Sequence, residues 1–148
     1  MDSNMAMNIV LGVVLMLVCL AVQIMLLLRT STFYFGHQSW VEAPHSLRGA
    51  LVPAQVLTML VLGNLAQAGC WALLFYALGE FTAFGEAFYH SLVNFATLGY
   101  GDIAMSPQWR LLGPIEALNG VLMVGVNTGA IAAIVQDGLK TMAESHRR

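Results

Sequence analysis

Thr97-Leu98-Gly99-Tyr100-Gly101-Asp102 is the stretch on which the reading of this chain turns. Its two glycines flank a tyrosine, and glycine lets the backbone enter conformations that other residues resist. By itself the hexapeptide reads as a surface β-turn of the kind that Gly and Asp favour. Its neighbours point elsewhere. Directly before it, Glu86 to Ala96 has the makings of a short helix, roughly 16 Å long. That is too short to cross a hydrocarbon layer of ~30 Å, and it suits a re-entrant half-helix buried inside protein. Long apolar segments lie on both sides.

The composition agrees with a membrane setting. The 148 residues are 58% hydrophobic and 9% charged, whereas ordinary globular domains run near ~25% charged. Ala6 to Leu28 and Ala50 to Leu78 carry no charge, and Leu111 to Val135 carries only Glu116. Each exceeds the ~20 residues needed to span. The expected fold is therefore an all-α membrane protein with three transmembrane helices plus a re-entrant helix and loop. A cleaved leader is a poor reading of the first segment, which starts Met1-Asp2-Ser3-Asn4 without a basic residue and has too long a core. Cys19 and Cys70 fall inside spans and read as buried thiols rather than a disulfide framework.

The basic residues set the orientation. With the amino terminus outside, Arg29, Arg48, Lys140, Arg147 and Arg148 face the cytoplasm and only Arg110 is external. This positive-inside bias favours an outer amino terminus and a cytoplasmic carboxyl terminus in the cell membrane. The connector Thr30 to Gly49, with Phe33, Tyr34, Phe35 and Trp40, is expected to lie along the inner interface, broken by Pro44. Pro53 suits the first turn of the second helix. Ser106-Pro107 can start the third, or that helix begins beyond Arg110 because Pro114 would otherwise kink it.

Residues Glu80 to Gln136, over a third of the chain, resemble the pore module of the potassium channel superfamily. The likeness rests on the hexapeptide, the half-helix before it and the apolar helix after it. It implies a small channel of prokaryotic type with one extra helix: residues 1–49 as extra helix and connector, 50–138 as pore module, 139–148 as a short tail. It implies that Thr97, Leu98, Gly99, Tyr100 and Gly101 form a selectivity filter. Thr97 would give the innermost site through hydroxyl and carbonyl, and the other carbonyls would replace the hydration shell of K+. One pore loop per chain demands a homotetramer. The implied partners are K+ and membrane lipids, with no nucleic acid and no cofactor beyond the permeant ion. No nucleophile, base and orienting group cluster in the sequence, so an enzyme is not expected. The rival readings are a weakly selective cation channel and a non-conducting membrane subunit.

The chain departs from the family pattern in two places. Leu98 stands where the family usually has valine, which bears on how strictly K+ is chosen over Na+. Val93 stands where several members carry an acid that pairs with the filter aspartate. Asp102 then needs another partner, and Trp109 is a candidate donor. Tyr89 and His90 occupy positions where aromatic residues often brace the filter, with His90 either a packed hydrogen-bonding residue or a group titrating near neutrality. Gly120 and Gly125 are candidate hinges for opening the inner helix, or sites of close helix packing. Asn127 and Thr128 are candidates to line the cavity. Glu116, an acid inside a span, reads as a brace behind the filter reaching Asn94, Tyr100 or Arg110, with a proton sensor as the alternative. Gln23 and Gln55 sit at matching depth and are expected to bond to each other. No metal-ligand spacing joins His37, His45 and His146.

Overall fold

The computed structural model describes residues 3–36 and 47–145. These form four helices: α1 Ser3–Gly36, α2 Leu47–Ala77, α3 Phe84–Phe95 and α4 Leu112–Ser145. Three of them hold stretches long and apolar enough to cross a membrane, Asn4–Tyr34, Leu51–Ala77 and Leu112–Lys140. The short α3 is the half-helix before the hexapeptide.

The helix ends differ from expectation for local reasons. No proline or glycine interrupts Thr30 to Phe35, so α1 runs on to Gly36 and absorbs Phe33 and Tyr34 of the expected interfacial connector. Trp40, Pro44, His37 and His45 lie outside the described residues, as do His146, Arg147 and Arg148. Because α2 already begins at Leu47, Pro53 sits past its first turn, inside the helix. Pro107 to Leu111 form a turn and α4 starts at Leu112. Pro114 thereby falls in a first turn, where its missing N–H has no intrahelical partner to lose, and gives no reason for a kink. Residues 139–145 of the expected tail continue α4.

The chain divides into two units, Met1–Val22 with Asn64–Val124, and Gln23–Gly63 with Gly125–Arg148. In the first, Trp71, Phe75, Leu112 and Met123 are fully buried, joined by Cys19, Ala68 and Ala87. Apolar side chains gain little from leaving lipid, so packing and interhelical hydrogen bonds must hold such helices together. The buried face of α1 accordingly carries Asn8, Gly12 and Cys19, while Val10, Val14, Leu17 and Val18 are exposed. Asn8 Nδ2 donates to the carbonyl of Gln108 at 2.8 Å, which puts the start of α1 at the same end as the loop after the hexapeptide. Cys70, expected buried, is exposed; both thiols are free.

In the second unit, Tyr34, Val52, Val56 and Leu60 pack with Ala130 and Ile134. Gln23 Nε2 donates to Asn127 Oδ1 at 2.5 Å, and Tyr34 Oη donates to Asp137 Oδ2 at 2.9 Å. Gln23 therefore bonds to Asn127 rather than to the expected Gln55, which is exposed. Matching depth along two helices says nothing about which faces meet, and the face of α1 bearing Gln23 meets α4.

Candidate functional site

The site is assembled around α3. Its buried positions Ala87, His90, Ser91, Val93 and Phe95 recur at helical spacing, so one face packs inward and the other is left exposed. Glu86 stands in the first turn, where an acid complements the helix dipole. The carboxyl end is closed by a Schellman arrangement. Thr97 N–H donates to the Asn94 carbonyl at 2.8 Å, and Leu98 N–H donates to the Val93 carbonyl at 2.9 Å. The motif needs a left-handed residue just past the cap, usually glycine; here that residue is Thr97, with φ 59°. A β-branched residue in that region is rare and costs roughly 1–2 kcal/mol. Val93 supports the hexapeptide through its main-chain oxygen.

Beyond Thr97 the left-handed conformation recurs at every second residue, Gly99 at φ 57° and Gly101 at φ 71°. Leu98 and Tyr100 between them do not share it. Thr97 to Asp102 are all exposed in the chain. The backbone thus alternates in hand over Thr97 to Gly101, with its surface uncovered.

Four side chains hold the far end of this segment. Tyr89 Oη donates to Asp102 Oδ2 at 2.8 Å, and that bond to a carboxylate pushes the phenol pKa up. His90 Nδ1 meets the Ile103 carbonyl at 3.1 Å, while Asn94 Nδ2 meets His90 Nε2 at 2.9 Å. The imidazole packs between the rings of Phe75 and Phe81, at centroid distances of 5.7 and 5.1 Å. Glu80 receives both the Ser106 N–H at 2.6 Å and the Ser106 hydroxyl at 2.8 Å. Ser106, expected as a helix cap, is used here instead. The bond of Asp102 goes to Tyr89, not to the expected Trp109, which packs against the apolar core.

Behind α3 lies α4. Gly120 is buried so tightly against the last turn of α3 that a Cβ placed there would stand 1.9 Å from the Phe95 carbonyl oxygen. This is close packing, one of the two roles the sequence left open for Gly120. Gly125 has no atom within 4 Å of such a Cβ and is exposed. Thr128 is also exposed, whereas Asn127, expected to line a cavity, is buried against Gln23.

Glu116 is fully buried, and its Oε1 is hydrogen-bonded to the Ser91 hydroxyl. The same hydroxyl lies 2.6 Å from the Ala68 carbonyl. Ser91 has one proton for two oxygens. Both contacts close as hydrogen bonds only when Ser91 donates to Ala68 and the acid form of Glu116 donates to Ser91. Of the partners named for Glu116 from sequence, Asn94 is a polar neighbour of the carboxyl group; Ser91 was not among them. Ser91→Ala should leave this buried acid without its partner and lower stability by about 1–3 kcal/mol. Adding Glu116→Leu should recover most of the loss, read from thermal unfolding of the purified protein in detergent. An additive double variant would exclude the pairing.

Sequence reasoning missed Glu80 and Ser91. A polar residue on the buried face of a half-helix, three positions past Phe88, was the available signal for Ser91. Glu80 carried none beyond being an acid at the outer end of a span.

No curated protein and no solved structure matches the chain. Residues 65–137, from the latter half of α2 through α3 and the hexapeptide into α4, match the model of a family described as an ion channel, and this part of the chain is similar to it.

Proposed function

We propose that four copies of this chain assemble about one axis into a channel that conducts K+ passively across the cell membrane. The observation that carries the reading is the alternation of left-handed backbone at Thr97, Gly99 and Gly101. Alternating hand turns successive peptide planes so that carbonyl oxygens gather on one side of the strand, the arrangement in which they replace a cation's hydration shell. The ion channel match over residues 65–137 supports it. So does the exposure of the whole stretch, which leaves it available to other copies. In this reading Thr97, Leu98, Gly99, Tyr100 and Gly101 hold K+, and Asp102, Val93 and Glu116 support them. Thr128 lines the cavity below, and Gly125, free of neighbours, is the bend at which α4 opens. The amino terminus lies outside, together with the outer mouth, as the Asn8–Gln108 bond and the basic residues both favour. No cofactor takes part, and the permeant ion is the only substrate.

The test is the reversal potential of purified protein in liposomes with K+ and Na+ on opposite sides. A value near the K+ equilibrium potential is expected. A value near zero would mean a weakly selective cation channel, for which Leu98 would be the first residue to revert to valine. Complete absence of flux would leave a non-conducting subunit and remove the proposal.

A further inference from the structure

His90 is fixed between two partners of unequal kind. The Ile103 carbonyl can only accept, so Nδ1 must carry the ring proton. In the neutral ring Nε2 then has a lone pair, and the amide of Asn94 faces it as a donor. A second proton on the ring would set Nε2–H against the Asn94 N–H group. The contact could be kept only by turning the amide over, and that amide is confined between His90 and Gly113 of α4. Two states follow from one geometry: a neutral ring with the amide as found, and a charged ring with the amide reversed or expelled. The ring also borders a hollow of about 380 Å³ lined by Asn94, Gly99, Gly101, Ile103, Arg110 and Gly113.

We propose that His90 is a positioning residue for the outer end of the filter: its Nδ1–H donates to Ile103 in either charge state, and Asn94 fixes the ring for that bond only while Nε2 is uncharged. This rests on reading residues 97–101 as the conducting stretch. The charged groups around the ring come from every element packed on it. Glu80 from the turn after α2 and Asp102 from the loop after the filter both favour a cation. Arg110, from the turn before α4, lines the same hollow, and Glu116 of α4 lies beyond Asn94. From α2 the ring meets Phe75 in a T-shaped contact. Burial is the largest influence and lowers the pKa from its ordinary 6.5. A depressed base supports the folded arrangement fully above that ordinary value, and its support is lost as pH falls through the lowered one. Conduction should therefore fail on the acid side.

The experiment measures K+ flux through the full chain in liposomes between pH 7.5 and 4.5, with three variants. Wild-type flux should drop by about tenfold, the worth of one such hydrogen bond, with a midpoint below 6.5. His90→Gln offers an N–H and a carbonyl that do not titrate, and should erase the transition. Asn94→Asp supplies an anion that accepts from the charged ring, and should raise the midpoint by about one to three pH units. Asn94→Leu removes the reader and should flatten the drop in flux, while burial still keeps the ring's midpoint below 6.5. A transition that persists in His90→Gln, or a midpoint unmoved by Asn94→Asp, overturns the proposal. If the wild type carries no flux at any pH, the channel reading fails and nitrogen NMR decides the brace separately. The His90 signals, identified by their loss in His90→Gln, should show an Nδ1–H tautomer that titrates below 6.5. An Nε2–H tautomer would overturn it.

Discussion

Gly120→Ala should cost this protein both stability and conduction, although helix propensity alone argues the reverse. In an exposed helix interior, alanine is favoured over glycine by about 1 kcal/mol. Here the added methyl would lie 1.9 Å from the Phe95 oxygen, 2.8 Å from its carbonyl carbon and 3.2 Å from its Cα. All three are main-chain atoms, so no side-chain rotation relieves the overlap. Either α4 withdraws or the last turn of α3 shifts, and Phe95 stands just before Ala96 and the left-handed Thr97. Overpacking of this kind costs about 1–3 kcal/mol, and backbone obstruction belongs at the upper end. The expected result is a lowered unfolding temperature in detergent and loss of K+ flux from liposomes. Gly125→Ala is the matched control, since nothing stands within 4 Å of the new methyl. It should keep or raise the unfolding temperature. A Gly120→Ala protein as stable as the wild type would show that α3 and α4 are further apart than described.

Gly99→Val should abolish flux while leaving the helices intact. The residue sits at φ 57° with no atom within 4 Å of an added Cβ, so the penalty within a chain is conformational, not a collision. For an L residue it is roughly 1–2 kcal/mol, and more for a branched one. The backbone relieves that strain by leaving the left-handed region, which breaks the alternation on which carbonyl alignment depends. Four copies would each contribute the same distortion to one ring. Circular dichroism and the assembled size should match the wild type, with K+ flux gone. Flux retained in Gly99→Val would exclude the backbone of this stretch as the ion path. The contrast with Gly120→Ala separates two uses of glycine, one for a dihedral angle and one for room.

The three apolar helices, the half-helix and the segment after it were readable from charge spacing, length and the hexapeptide. The pairings between helices were not. A helix that is apolar all round carries no stripe to say which face turns inward, and α1 exposes valine and leucine on most of its surface. The signal that did exist was inverted. Asn8, Gly12, Cys19, Gln23, Thr30 and Tyr34 recur at steps of four and seven and are the buried positions of α1. In lipid the small and polar residues face inward, so this row pointed to partners that matching depth alone could not identify. Trp109, at the expected start of the third helix, is a candidate donor to Asp102, yet it is Tyr89 of α3 whose hydroxyl reaches that carboxylate. Ser91 and Gly120 depend on how closely two elements approach, which no local pattern records.

The two bonds from α1 to α4 in the second unit, Gln23 to Asn127 and Tyr34 to Asp137, bear on what can be removed from this protein. A shortened version starting at α2 would keep residues 97–101, the proposed filter, and on paper would be a complete two-helix pore. It would also strip two hydrogen-bonding partners from α4, one of them the Gln23 amide that donates to the buried Asn127. The leading helix thus helps to fix α4 and is not an accessory fastened to it, and trimming it away should yield a less stable protein rather than a simpler one.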